Sequence, residues 1–237
     1  METQMYMKPK VAIFLKTLIS LLAISYHSSF ATIQKIKTNS KNKSIIHQPD
    51  LDPLKEMHAK YKDVKALAAE FSQLQKNATD GSIKESSGRI YIKRPNMFRW
   101  ETLTPEASIL VGNGHKVWYY TPPFRKGENG QVLTKRAADV QSQLAVDLLS
   151  GRSDPKKDFN VSPLTENNLS LKPLKPLGNI EHIELYIERS TKLVYKLKLF
   201  TTTGNETVLT LKNLILSASL NDQMFNFIPP EGTEEIK

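Results

Sequence analysis

The residues best placed to do chemistry lie in one short stretch, Gly88-Arg89-Ile90-Tyr91-Ile92-Lys93-Arg94-Pro95-Asn96-Met97-Phe98-Arg99-Trp100-Glu101. It reads as a strand, a proline-set corner and a second strand. Side chains alternate across a strand with period 2, so Arg94 continues the face of Ile90 and Ile92, and Phe98 shares a face with Trp100. An arginine that prolongs an apolar face, followed four residues later by an aromatic, reads as the mouth of an apolar interior. Such an interior would have to be covered by something apolar, helices or a ligand.

Residue patterns suited to bond-making chemistry are few. Of the five histidines, His27 and His47 precede the ordered region, His58 falls on a helix, His115 in a turn and His182 at the start of a strand. None forms a metal-ligand pattern, and without cysteine a zinc site would need histidines gathered from afar. There is no Gly-x-Ser-x-Gly elbow, no phosphate loop and no His-Glu-x-x-His. Glu101 and Glu106 are the remaining candidate carboxylate pair, because they flank an aromatic cluster; solvated strand ends are the plainer reading. The reading calls for no catalytic residue, no metal and no cofactor. More informative is the gathering of Phe98, Trp100, Trp118, Tyr119, Tyr120 and Phe124, which an ordinary β core would also explain. Asn77-Ala78-Thr79 and Asn205-Glu206-Thr207 match the glycosylation sequon, a pattern of low specificity.

Near the N-terminus, Lys8 and Lys10 precede an apolar run from Val11 to Ile24, and Ser29-Phe30-Ala31 places small residues at the −3 and −1 positions of a cleavage site. Residues 1–31 therefore read as a signal peptide. Met7 opens a tidier charged segment than Met1 and is the alternative initiator. Lys16 interrupts the run, leaving fewer than the ~20 clean apolar residues a membrane span needs. Cleavage after Ala31 leaves 206 of the 237 residues, and the removed Lys8, Lys10, Lys16 and Glu2 lower the charge from +9 to about +7. The chain has no cysteine, which excludes disulfides, thiol chemistry and a lipid-carrying N-terminal thiol. A soluble exported protein is expected. Its basic surface would meet anionic head groups or acidic partners, since an exported chain rarely meets nucleic acid.

Residues 32–50 are polar and lysine-rich and read as a basic disordered linker. The domain is expected over residues 51–237. Asp52 and Pro53 open a helix as N-cap and first residue, and Leu54, Met57, Tyr61 and Val64 form one apolar stripe. From about Ile83 the period falls to two. Strands are expected at Ser87–Lys93, Met97–Leu103, Ala107–Gly112, Lys116–Thr121, Gln131–Thr134, Phe159–Val161, Asn168–Leu174, His182–Glu188, Leu193–Thr202 and Glu206–Leu216, with Phe225–Phe227 as a last short one. Gly112-Asn113-Gly114 marks a hairpin, and Asp139–Leu149 reads as a short amphipathic helix stopped by Gly151. About ten or eleven strands with one wet face and one apolar face suit a large antiparallel sheet or barrel whose interior something apolar must fill.

The Gly88–Trp100 stretch resembles the signature of the LolA family, periplasmic carriers of outer-membrane lipoproteins. Ala69-Glu70-Phe71-Ser72-Gln73, Ser108–Gly114 with Val117-Trp118-Tyr119-Tyr120, Leu169–Pro173 and Phe225–Gly232 resemble further family segments in the same order. The likeness runs from about Leu51 to Gly232. It implies an incomplete, open antiparallel β-barrel of about eleven strands with a lid of short α-helices, Asp139–Leu149 among them, and a first helix that stops near Lys65 before a strand starting near Leu67. It implies that the chain binds lipoprotein acyl chains and ferries them to the outer membrane, taking them from an inner-membrane ABC release complex and passing them to an outer-membrane acceptor lipoprotein. A monomer is expected. Arg94 would latch the lid by donating to helix-end carbonyls, which suits an inward guanidinium. Ile90, Ile92, Phe98, Trp100, Trp118, Tyr120, Leu144 and Leu148 would line the cavity and its mouth. Two other readings compete. One is an envelope lipid-binding or sensor protein of the same fold, and the other a lipid- or glycan-acting enzyme of the same compartment. The basic linker and the Thr121–Gly127 segment depart from the family pattern.

Overall fold

Asp52 and Pro53 start the first element as their chemistry dictates. Pro53 brings a preset φ, and the Asp52 carboxylate accepts the amide of Leu54 at 3.1 Å, satisfying one of the donors a helix start leaves open. Helix α1 spans Pro53–Tyr61 and buries Leu54, Met57 and Tyr61. It ends one turn before Lys65, because Lys62 and Asp63 form a turn and the amide of Val64 returns to the carbonyl of Tyr61 at 3.1 Å. Val64 keeps the stripe buried from outside the helix. The computed structural model describes residues 52–137, Leu148 and residues 154–236. The expected signal peptide and linker, most of Asp139–Leu149 and Leu144 lie outside the described residues.

Twelve strands follow: β1 Ala66–Lys76, β2 Ile83–Lys93, β3 Met97–Thr104, β4 Ser108–Asn113, β5 Lys116–Thr121, β6 Gln131–Arg136, β7 Phe159–Pro163, β8 Asn168–Pro173, β9 Ile180–Ile187, β10 Val194–Thr201, β11 Glu206–Leu216 and β12 Glu234–Ile236. They form one open sheet in the order β12-β6-β5-β4-β3-β2-β1-β11-β10-β9-β8-β7. Every neighbouring pair is antiparallel except β12 on β6. The fold is thus mainly β, and the strand expectations hold to within a few residues at each end. One does not. Phe225-Asn226-Phe227 is no strand: Asn221 caps a 3₁₀ turn at Asp222–Phe225 by accepting the amide of Gln223, and the last strand comes later, at Glu234–Ile236. Alternating aromatics suggest a strand, but local Asn and Asp bonds offer the backbone a competing turn.

The sheet buries both of its faces in places. The inner face, covered by α1, holds one continuous apolar cluster from Leu54, Met57 and Tyr61 through Ile90, Ile92, Phe98 and Trp100 to Leu171, Leu185 and Leu209. On the outer face the C-terminal segment crosses β2–β5. Lys93 Nζ donates to the carbonyl of Leu220 and pairs with Asp222, Arg99 Nη1 donates to the carbonyl of Met224 at 3.1 Å, and Phe225 is fully buried. Glycine is required twice beneath these layers. A Cβ at Gly88 would lie 1.8 Å from the carbonyl oxygen of Glu101, and one at Gly112 would lie 2.3 Å from the ring of Phe98.

Candidate functional site

Cross-strand register decides which of the singled-out side chains meet. Ile92, Phe98, Gly112 and Val117 stand opposite one another on successive strands, as do Ile90, Trp100, Leu110 and Tyr119. Directly paired residues share a face. Ile90, Ile92, Phe98 and Trp100 are therefore together on the inner face, all buried, with Phe98 seated over Gly112 and Trp100 tilted against Phe71 at 4.7 Å. Leu148 belongs to the same buried cluster.

Trp118 and Tyr120 do not join them. Trp118 pairs with Val111 and Thr134, and Tyr120 with Ile109 and Val132, which puts both on the outer face. Trp118 is half-buried there. Tyr120 packs on Phe227 at 5.2 Å and lies over Gly130, where a Cβ would come within 2.7 Å of its hydroxyl. The inner residues of β5 are Val117 and Tyr119. The run Val117–Tyr120 is apolar at every position, so the sequence alone carries no parity by which to separate its two faces.

Arg94 sits just beyond β2, in the corner that leads to β3. Its Nη2 donates to the carbonyl of Tyr61 at 2.8 Å, its Nη1 to the carbonyl of Lys62 at 3.0 Å, and its own amide to the carbonyl of Lys65 at 2.8 Å. These carbonyls close α1 and the connection after it, so a cation meets the negative end of the helix. The guanidinium also borders a small cleft with Val64, Ala66, Leu67 and Ile92. Three further contacts hold α1. The amide of Val194 donates to the hydroxyl of Tyr61 at 3.3 Å inside the core, Lys192 pairs with Glu56 at 2.8 Å, and Lys156 pairs with Asp52. The last bond holds the Asp52 carboxyl below the usual carboxylate range. Burial pushes the Tyr61 phenol up to about 12. The Tyr61 fastening was not foreseen, since in the sequence Tyr61 reads only as one member of an apolar stripe.

The carboxylates do not form a catalytic pair. Glu101 is on the outer face, bonded to Arg99 Nε at 2.6 Å. Glu106 follows β3 and lies within electrostatic reach of Lys84 and Tyr119. His58 and His115 are exposed, and His182 stacks on Phe200 at 4.3 Å. Among the described residues no cluster of His, Cys, Asp or Glu could hold a metal ion, and no helix is long and apolar enough to cross a membrane. What the geometry offers is a broad apolar face under a helix fastened at its C-terminal end.

The sequence profile of the outer membrane lipoprotein carrier protein LolA family matches residues 62–228. The outer-membrane lipoprotein carrier protein of Haemophilus influenzae is 28% identical over 188 residues, covering 77% of this chain and 86% of that protein. Its counterpart in Legionella pneumophila (strain Corby) is 29% identical over 185 residues, covering 76% and 88%. A solved LolA superfamily protein from Nitrosomonas europaea superposes with a TM-score of 0.40 at 11% identity, covering 74% of this chain and 96% of that one. With the profile spanning well over half its length, the chain belongs to the LolA family of lipoprotein carriers.

Proposed function

We propose that this chain carries outer-membrane-directed lipoproteins across the periplasm by covering their acyl chains with the inner face of its sheet. The observation that carries the reading is the fastening of α1 over that face by Arg94, at 2.8 and 3.0 Å from the carbonyls of Tyr61 and Lys62. Each methylene removed from water contributes about 0.8 kcal/mol, so an acylated protein left free would aggregate or stay in its membrane. A carrier needs an apolar cover without directional grip, and a lid that can let go. Two hydrogen bonds to helix-end carbonyls form a latch weak enough to be exchanged for contacts with cargo. Ile90, Ile92, Phe98, Trp100 and Leu148 line the covered face in this reading. An inner-membrane ABC release complex would load the carrier and an outer-membrane acceptor lipoprotein would unload it, the carrier itself being a monomer without enzymatic activity.

The direct test is to purify the exported chain from the periplasm and identify copurifying lipids and proteins by mass spectrometry. Lipoproteins released by detergent, and their transfer to acceptor membranes in a reconstituted assay, are the expected result. A chain that binds no acylated protein and instead turns over a lipid or glycan would overturn the reading.

A further inference from the structure

The inner face changes character along its strands. Moving away from Arg94, the row Ile92–Phe98–Gly112–Val117 is wholly apolar, and the row Ile90–Trp100–Leu110–Tyr119 carries an indole and a phenol. The next row opposes Gly88 to Thr102 and Thr102 to Ser108, and continues where Thr121 pairs with Gln131. Trp100 Nε1, Thr102 Oγ1 and Gln131 Oε1 are buried atoms with no hydrogen-bond partner among the described residues, and Ser108 Oγ and Tyr119 OH, also buried, meet no polar group but each other and Thr121. Trp100, Thr102, Ser108 and Tyr119 are 4%, 3%, 1% and 5% exposed. Ser108 and Thr121 lie within hydrogen-bonding reach of the Tyr119 hydroxyl. The patch crosses four neighbouring strands, about 14 Å from β3 to β6.

Folded interiors pair nearly all of their buried polar atoms. Three orphans beside a cluster of hydroxyls, in two adjacent rows of one face, leave hydrogen-bonding capacity that a guest can fill. Their chemistry describes that guest. The Trp100 indole can only donate, the Gln131 oxygen can only accept, and the three hydroxyls can do both. None of the five side chains carries a charge. Lys84 and Glu106, the charged groups near this end, are of opposite sign and favour neither an anion nor a cation. The fitting group is neutral, carries carbonyl oxygens together with a hydroxyl or N–H, and is attached to hydrocarbon that can lie along the apolar rows.

We propose that Trp100, Thr102, Ser108, Tyr119 and Gln131 form a polar subsite for the ester or amide and hydroxyl groups of an acyl-glyceryl amphiphile. The inference rests on the acyl-carrier reading and sharpens it, by making the head group as well as the hydrocarbon a determinant of what is carried. A free glyceride and the glyceryl group of an acylated N-terminus present the same chemistry to this patch.

The chain has two tryptophans, one inside and one outside, which provides the assay. With ¹⁵N-labelled indoles, the protein is titrated with hexadecane, with 1-monopalmitoylglycerol and with a diacylglyceryl-cysteine peptide. Binding of the headed lipids at least tenfold tighter than hexadecane is expected. Their binding should move the Trp100 indole N–H resonance and leave that of Trp118 in place. The double variant Thr102→Val/Ser108→Ala should lose the tenfold preference and keep its affinity for hexadecane. Equal affinity for hexadecane and both headed ligands in the unaltered protein overturns the subsite while leaving the acyl-carrier reading intact, and failure of all three ligands to bind overturns that reading as well. A preference for the lipopeptide over the glyceride names the lipoprotein as the source of the head group; the reverse names a free lipid.

Discussion

Arg94 and Tyr61 are linked end to end. The guanidinium donates to the carbonyl of Tyr61 at 2.8 Å, and the hydroxyl of the same tyrosine accepts the amide of Val194 at 3.3 Å. Arg94 follows β2 and Val194 opens β10, with β1 and β11 between them in the sheet. One residue of α1 therefore ties the helix across four strands. Loss of the Arg94 bonds alone leaves α1 tied to β10 through the Tyr61 hydroxyl and the amide of Val194.

Replacing Arg94 by leucine removes both helix-end bonds and leaves two carbonyls to water. The loss expected is about 1–3 kcal/mol of local stability, read as roughly tenfold to a hundredfold faster amide exchange along Pro53–Tyr61 with little change in β1 and β11. Arg94→Lys keeps the charge but not the fork that reaches two carbonyls, so partial protection is expected. Unchanged exchange in Arg94→Leu, together with lipoprotein transfer at the unaltered rate, would remove the latch from the mechanism.

The other end of the link is sensitive to alkali. Burial raises the Tyr61 phenol from its ordinary 10.0 to about 12, so the folded protein holds this proton more tightly than the unfolded chain does. The associated stability is intact below pH 10 and is lost as pH climbs toward 12. A shift of that size corresponds to roughly 2–3 kcal/mol. Denaturant midpoints measured at pH 9 and pH 11 should fall less steeply for Tyr61→Phe than for the unaltered chain. Parallel slopes would show that other groups, not Tyr61, govern the alkaline limb.

Much of this arrangement was legible in the residues. Period 2 from Ile83 onward placed the antiparallel strands, because one wet and one apolar face alternate clearly at Ile183–Glu188 and Leu193–Leu199. Asp52-Pro53 marked the helix start, since a cap and a preset φ act within one turn. The inward aim of Arg94 followed from its parity with Ile90 and Ile92. Three things did not follow. The α1 end is decided by a turn at Lys62 and Asp63 and by a partner thirty-three residues away. The faces of β5 are hidden in a run that is apolar throughout, and only pairing with Val111 and Leu110 separates Trp118 from Tyr119. The C-terminal aromatics pack against the outer face of a sheet whose second apolar layer no local pattern announces.

Gly112 tests how tightly Phe98 is seated. Phe98 occupies the space in which a side chain at Gly112 would begin, with its ring 2.3 Å from the position of a Cβ. Gly112→Ala must push the ring off its seat or move β4, a strain of about 1–3 kcal/mol. A lower melting temperature and weaker binding of a fluorescent acyl probe are expected together. The smaller ring-side variant Phe98→Leu, combined with Gly112→Ala, should recover part of the stability. If Gly112→Ala alone melts and binds like the unaltered chain, Phe98 is free to move.

The two faces of the sheet predict a clean separation of stability from binding. Tyr120 packs on Phe227 and Gly130 on the outer face, whereas Phe98 faces α1 on the inner one. Truncating either buried ring to alanine should cost about 3–5 kcal/mol. Only the inner truncation also removes surface that a bound acyl chain would touch. Tyr120→Ala should therefore loosen the C-terminal segment, seen as faster exchange in β12 and around Phe225, while the folded fraction binds an acyl probe with unchanged affinity. Phe98→Ala should weaken the probe by tenfold or more at a temperature where both variants remain folded. An equal loss of affinity in the two variants would mean that ligand reaches both faces, and the outer residues Trp118 and Tyr120 would return to the binding surface.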